Sequence, residues 1–114
     1  MGMPPTQLDE ERTDDVLRAI AEPRRRAILQ LVATDELSAG EIAAHFDDVT
    51  RPAISQHLTV LKGAGLVTER RDGTKRLYRT RGEALVELQR VLAGMWPDAL
   101  ARFKEHAERE ERKR

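Results

Sequence analysis

The alternation of apolar and polar positions divides this chain into a series of short helices, one hairpin and a long amphipathic C-terminal stretch. Val16, Leu17 and Ile20 form a first aliphatic stripe. It follows Thr13-Asp14-Asp15, which suits a helix start: a capping hydroxyl, then acids at the positive end of the macrodipole. Pro23 ends that helix or begins the next, in which Ile28, Leu29 and Val32 recur at helical spacing with Leu31 alongside. Ser38-Ala39-Gly40-Glu41 reads as a capping box opening a short third helix that carries Ile42, Ala43 and Phe46. Asp47-Asp48-Val49 then leads tightly into a fourth, capped by Thr50, admitting Pro52 in its first turn and stopped by Gly63 and Gly65. At 100° per residue, Leu58 and Leu61 fall beside Ile54, whereas Pro52, Ser55, Gln56 and Thr59 fall opposite, flanked by Arg51 and Lys62. A helix with that polar face fits a DNA major groove, with Ser and Gln to base edges and cations to phosphates. The same pattern also fits an ordinary amphipathic surface helix.

Beyond it, Leu66–Arg71 and Thr74–Thr80 read as strands around Asp72-Gly73, a dipeptide favoured in two-residue hairpin turns. That turn would set Arg70 opposite Lys75, Glu69 opposite Arg76 and Val67 opposite Tyr78. Like charges directly across a ladder are unfavourable, so the Arg70–Lys75 pair points to an external anion, unless the two side chains simply splay into water. From Glu83 a helical stripe of Leu85, Leu88, Leu92 and Met95 continues into Trp96, Leu100, Phe103 and Ala107. Pro97 predicts a break, with a final helix starting there. So much apolar surface on terminal helices of a small domain is most economically buried between two copies of the chain. Residues 1–12, with two prolines, several acids and almost no aliphatics, read as a disordered tail. Residues 13–108 read as one folded domain and 109–114 as a charged tail.

Charge changes this picture more than length does. The 114 residues carry no net charge, yet residues 1–50 hold 5 basic and 11 acidic side chains, whereas residues 51–81 hold 8 basic against Glu69 and Asp72 alone. A local excess of cations, not the total, attracts a polyanion, and this one covers the fourth helix and the hairpin. Three further cations, Arg24, Arg25 and Arg26, open the second helix against its macrodipole. They call for nearby acids such as Asp14, Asp15 and Glu22, or for a phosphate.

The sequence also excludes much chemistry. It has no cysteine, so disulfides, thiolate metal sites and Cys nucleophiles are out. It shows no Gly-rich phosphate loop and no Ser/His/acid order that suggests catalysis, so an enzyme is not expected. His45 reads as a helix-surface residue, and His57 as a packing residue or phosphate donor. His106, with Glu105, Glu110 and Asp98, lacks a second histidine at the spacing of a zinc set, so neither a metal nor another cofactor is expected. No signal peptide or membrane span is evident, which makes the cytoplasm the default location.

Five segments in order, Ala21–Leu29, Leu37–Ala43, Thr50–Leu58, Leu61–Val67 and Arg70–Arg79, give the chain a resemblance to ArsR-type winged-helix transcriptional repressors over roughly residues 14–106. The resemblance implies a mainly α winged helix-turn-helix with a small two-stranded antiparallel wing. It implies a homodimer formed through the first and last helices on a palindromic double-stranded DNA operator. By position, Ser55 and Gln56 would read bases, with Pro52 and Thr59 on the same face, while Thr50, Arg51, His57 and Lys62 would hold the backbone. Arg70, Arg71, Lys75 and Arg76 would form the wing. Val16, Leu17, Ile20, Leu88, Leu92, Met95, Trp96, Leu100 and Phe103 would supply the dimer interface. The thiolates that some members carry would fall near Ser38 to Gly40, where there is no sulfur. Asp47-Asp48 makes the turn before the fourth helix longer and more acidic than the tightest family turns. The rival reading is a winged helix that binds protein rather than DNA.

Overall fold

The computed structural model describes residues 5–112. Helices α1 (Pro5–Ile20) and α2 (Pro23–Thr34) are followed by strand β1 (Leu37–Ser38), helix α3 (Ala39–Ala43) and helix α4 (Arg51–Gly63). Strands β2 (Val67–Asp72) and β3 (Lys75–Thr80) form the wing, and helices α5 (Gly82–Met95) and α6 (Pro97–Arg112) complete the chain. The core is one cluster in which Ile28 and Val32 of α2, Ile42 of α3, Ile54, Leu58 and Leu61 of α4, and Leu66 are almost wholly buried. Val16 and Ala19 of α1, Val67 of β2 and Ala84 of α5 close its margins. The expected stripes of α2, α3 and α4 all face this cluster. No helix among the described residues is long and apolar enough to cross a membrane.

The helix ends follow from local chemistry. Glu22 caps α2 by accepting the Arg25 backbone N–H at 2.9 Å. Nearby acids such as Asp14, Asp15 and Glu22, or a phosphate, were expected to offset the cations at the start of α2; apart from the Glu22 cap, the offset comes mainly from carbonyls of the last turn of α1. The Arg25 guanidinium donates to the oxygens of Ala19 (2.6 Å) and Arg18 (3.1 Å), and Arg26 donates to Ile20 (2.6 Å). The negative end of one helix thereby neutralises cations at the positive end of the next. Arg24 pairs with Asp48. In α3 the capping box is complete, with Ser38 Oγ accepting from Glu41 N (3.2 Å) and Glu41 Oε1 from Ser38 N (3.0 Å). Thr50 Oγ1 caps α4 by accepting from Ala53 N at 3.3 Å. At the other end, Leu66 N donates to Leu61 O and Gly65 N to Lys62 O, both at 3.0 Å, the paired bonds of a Schellman motif with Gly65 at φ +75°.

Three expectations need correction. The sheet has three strands, in the order β1-β3-β2, because Leu37 and Ser38 pair with Tyr78 and Leu77. The hairpin closes through Gly73-Thr74, not Asp72-Gly73: Asp72 pairs with Lys75, Arg71 with Arg76, Arg70 with Leu77, Glu69 with Tyr78 and Val67 with Thr80. Only Gly73 takes a positive φ in this loop (+66°), the arrangement of a II′-type turn with glycine first. The shift puts Thr80 opposite Val67 at the buried end, where its hydroxyl donates to Leu29 O at 2.8 Å. Arg70 therefore does not oppose Lys75; the like-charge pair is Arg71–Arg76. Finally, α1 runs back to Pro5, so the tail expected over residues 1–12 is helical from residue 5, and Thr13 is a buried mid-helix residue and not a cap. The polar run there consists largely of good helix formers behind a proline at the first position, and Arg12 ties it to Glu87 of α5 (3.4 Å). Residues 1–4 lie outside the described residues.

At the C-terminus the break falls where Pro97 predicts it, with Trp96 between α5 and α6 at φ −135° and ψ 50°. The helix α6 continues through the expected tail to Arg112, its last turn carrying the cations that favour a helix C-terminus; residues 113–114 lie outside the described residues. It packs mainly against α5 and projects from the core, so the radius of gyration is 18.0 Å, against about 13 Å for a compact chain of this length.

The two glycines that end α4 should respond oppositely to substitution. A Cβ on Gly63 meets no atom within 4 Å, so Gly63→Ala should leave stability unchanged or raise it by up to ~1 kcal/mol. Gly65→Ala forces a left-handed residue and brings Cβ to 3.4 Å from Arg81, and should cost ~1–2 kcal/mol. Urea titration of both variants, read at constant slope, checks the contrast.

Candidate nucleic-acid interface

Because Ile54, Leu58 and Leu61 are only 0–1% exposed, the opposite face of α4 must be presented to solvent. Thr50, Arg51, Pro52, Ser55, Gln56, Thr59 and Lys62 are all exposed there, as expected. Thr59 Oγ1 donates to Ser55 O at 3.0 Å, so its hydroxyl faces outward only as an acceptor. Gln56 and Ser55 keep their side-chain donors and acceptors uncommitted to any protein hydrogen bond among the described residues. His57 differs. It is half-buried, with Nδ1 at 3.5 Å from the Arg25 guanidinium that also grips the end of α1, so it serves packing between α2 and α4.

The wing stands beside this helix. The start of α3 from Ser38 to Glu41, together with Arg51 and Ser55, faces Thr74–Arg76 and Tyr78 across an open polar cleft. Arg51 lies over Gly40, with its guanidinium carbon 3.7 Å from where a Cβ would stand. Six cations of α4 and the wing fall into two groups. Arg51, Arg71, Lys75 and Arg76 are exposed and make no ion pair among the described residues. Lys62 is held by Glu69 at 2.6 Å, and Arg70 by Glu36, with Nη2 at 2.6 Å and Nε at 2.8 and 2.9 Å from the two carboxylate oxygens. The bond from Arg70 holds the Glu36 carboxyl below its usual pKa, as the bond from Lys62 does for Glu69, while burial and a bond to Glu69 raise Tyr78. These two acids and Arg25 were not legible as site residues, because their role depends on contacts across 32 or 34 positions, or on a strand register.

The apolar residues expected at a dimer interface do not share one environment. Val16 is 6% exposed and belongs to the core of its own subunit, so it has no surface to offer a partner. Leu17, Ile20, Leu88 and Leu92 are partly buried, whereas Met95, Trp96 and Phe103 stand 44%, 55% and 71% exposed on the projecting α5–α6 arm. The Leu100 side chain lies outside the described residues. Nowhere among the described residues do three His, Asp or Glu side chains converge as a metal-ion set.

Comparison with known proteins agrees with this geometry. A helix-turn-helix domain model matches residues 20–70. The HTH-type transcriptional regulator Rv2034 of Mycobacterium tuberculosis is 41% identical over 90 residues, 79% of this chain and 83% of that protein. Among solved structures, an ArsR-like transcriptional regulator from Rhodococcus sp. RHA1 superposes with a TM-score of 0.71 at 31% identity, covering 86% of this chain and 92% of that one. A homodimeric winged helix-turn-helix DNA-binding domain from Mycobacterium bovis gives a TM-score of 0.66 at 29% identity, over 86% and 91% of the two chains. With its helix-turn-helix formed by α3 and α4 and its wing by β2 and β3, the chain belongs to the ArsR-type winged helix-turn-helix repressors, a family of DNA-binding transcriptional regulators.

Proposed function

We propose that two copies of this chain pair through α1, α5 and α6, and that the dimer represses transcription by occupying a two-fold operator with one α4 in each major-groove half-site. The observation that carries this reading is the division of α4: an aliphatic face locked in the core, and a Ser55–Gln56 face exposed between Arg51, which makes no ion pair among the described residues, and Lys62, which is held by Glu69. Ser55 and Gln56 read base edges. Arg51 meets phosphate at the start of α4, and Arg71, Lys75 and Arg76 meet it from the wing. Because the phosphate contacts carry no sequence information and the base contacts do, the two sets separate by experiment. The protein-binding alternative has less support, since a protein partner does not call for four exposed cations that make no ion pair among the described residues, three of them lining one cleft. The reading places the protein with the DNA, in the cytoplasm of its cell.

The eight cations that Arg51, Arg71, Lys75 and Arg76 supply in a dimer predict that log K falls with log salt at a slope of about −7. Arg71→Ala should weaken binding to all sequences alike and flatten that slope by about 2 for the dimer. Gln56→Ala should instead lower operator affinity by ~1–3 kcal/mol at one or two base positions and leave the slope unchanged. Fluorescence anisotropy against operator and scrambled duplexes, across a salt series, measures both; a uniform loss from both variants would refute the division of labour. For the dimer, Trp96→Glu puts a charge on the exposed corner between α5 and α6, and sedimentation velocity should show monomer. An unchanged dimer would refute the terminal-helix interface.

A further inference from the structure

We infer that Glu36 and Glu69 are specificity-determining residues: built-in counter-ions that occupy Arg70 and Lys62 off DNA and hold down affinity for non-operator sequence. The inference rests on the reading that the wing and α4 face DNA. The cations of α4 and the wing are unequal. Those nearest the Gly73-Thr74 loop make no ion pair among the described residues, although Asp72 stands opposite Lys75 in the ladder, whereas Arg70 and Lys62, nearer the core, each have a carboxylate within 2.6 Å. Glu36 engages Arg70 with both oxygens, at 2.6 to 2.9 Å, from the residue just before β1. Glu69 reaches from β2 to the last turn of α4 at 2.6 Å. Both acids are partly screened from solvent (side chains 26% and 24% exposed), while their cations are more than half exposed. The cation can therefore swing to an incoming phosphate while the acid stays behind.

Such pairs are weak, since exposed ion pairs contribute at most ~1 kcal/mol. That weakness suits an exchangeable counter-ion better than a structural brace. Approach to any duplex leaves the carboxylates facing phosphate, a repulsion that shallow, non-specific contact through the loop cations cannot offset. Full seating of α4 in a matching groove brings phosphates close enough to take over Arg70 and Lys62. The two acids thus raise the free energy of non-specific complexes more than that of the operator complex, and specificity is that difference.

The test is Glu36→Gln and Glu69→Gln, each isosteric and on the surface, in the full-length chain. Each should tighten binding to a scrambled duplex about tenfold near 0.15 M salt, steepen its salt slope by about 2 for the dimer, and lower the operator-to-scrambled ratio. Glu83→Gln changes net charge equally but releases Arg81, whose guanidinium also binds Gly65 O at 2.9 Å away from the wing, and should alter neither slope nor ratio. A fall in affinity would overturn the inference, showing that Glu36 and Glu69 orient the cations for DNA and do not withhold them. An unchanged slope would also overturn it, as would the same gain in Glu83→Gln. If Arg71→Ala leaves the slope of the wild-type protein intact, the placement of DNA on the wing fails instead, which keeps the two failures distinct.

Discussion

The structure depends on the anchoring of α4 by one face only. Ile54, Leu58 and Leu61 are nearly inaccessible to solvent within the single core cluster. Burial of each such side chain is worth ~1.5–3 kcal/mol, so exposing all three by rotating the helix would consume much of the 5–15 kcal/mol that holds a typical domain together. The helix consequently has one permitted azimuth. Its ends are fixed as well, by the Thr50 cap and by the left-handed Gly65, which turns the chain directly into Leu66 and β2. Direction, azimuth and exit of the polar face are all set by groups other than Ser55 and Gln56. Under the proposed function, that separation would let Ser55 and Gln56 vary with operator sequence at little cost in stability.

What was legible in the sequence was whatever nearest-neighbour chemistry decides. The capping box at Ser38, the Thr50 cap, the Pro97 break and the buried stripes of α2 to α4 each rest on residues within one or two turns of each other. The hairpin register was not of that kind. Asp72-Gly73 and Gly73-Thr74 are both plausible two-residue loops, since either places glycine at a left-handed position. The choice is made about 20 Å away, at the far end of a six-residue strand, where Val67 and Thr80 enter the core and Thr80 bonds to Leu29 O. A local signal was thus overruled by burial and one long-range hydrogen bond. Through it, the like-charge pair moved from Arg70–Lys75 to Arg71–Arg76, while Arg70 acquired a carboxylate partner.

The terminal segments failed to read for a different reason. A polar run such as Gln7–Arg12 has good helix propensity but no apolar face, and composition of that kind is shared by tails and by helices that extend a docked segment. Propensity alone does not stabilise so short a helix in water. Here α1 gains from its buried second half, where Thr13, Val16 and Ala19 pack inward, and from Arg12 reaching Glu87. Val16 illustrates the converse error. A heptad-like stripe shows that a residue is buried, but not whether its own chain or a partner buries it, and α5 already covers Val16 from within the subunit.

The uneven neutralisation of the wing follows from the shape of its sheet. The strand β1 is two residues long and pairs only with Leu77 and Tyr78, so an acid beside it reaches the base of the hairpin and no further. Beyond that point β2 and β3 continue as a two-stranded ribbon, and Arg71 and Arg76 share a cross-strand pair that makes no ion pair among the described residues, with Glu69 acting on Arg76 only at longer range. Their repulsion is tolerable in water, where the side chains diverge and screening acts within ~8–10 Å. A phosphate placed between the two guanidinium groups would relieve that repulsion. Extending β1 in the same register would set Ala39 and Gly40 opposite Arg76 and Lys75 and bring no carboxylate to the loop. The basic block between residues 51 and 81 is therefore neutralised at the base of the hairpin, by Glu36 on Arg70, more than toward its tip, although the chain as a whole carries no net charge.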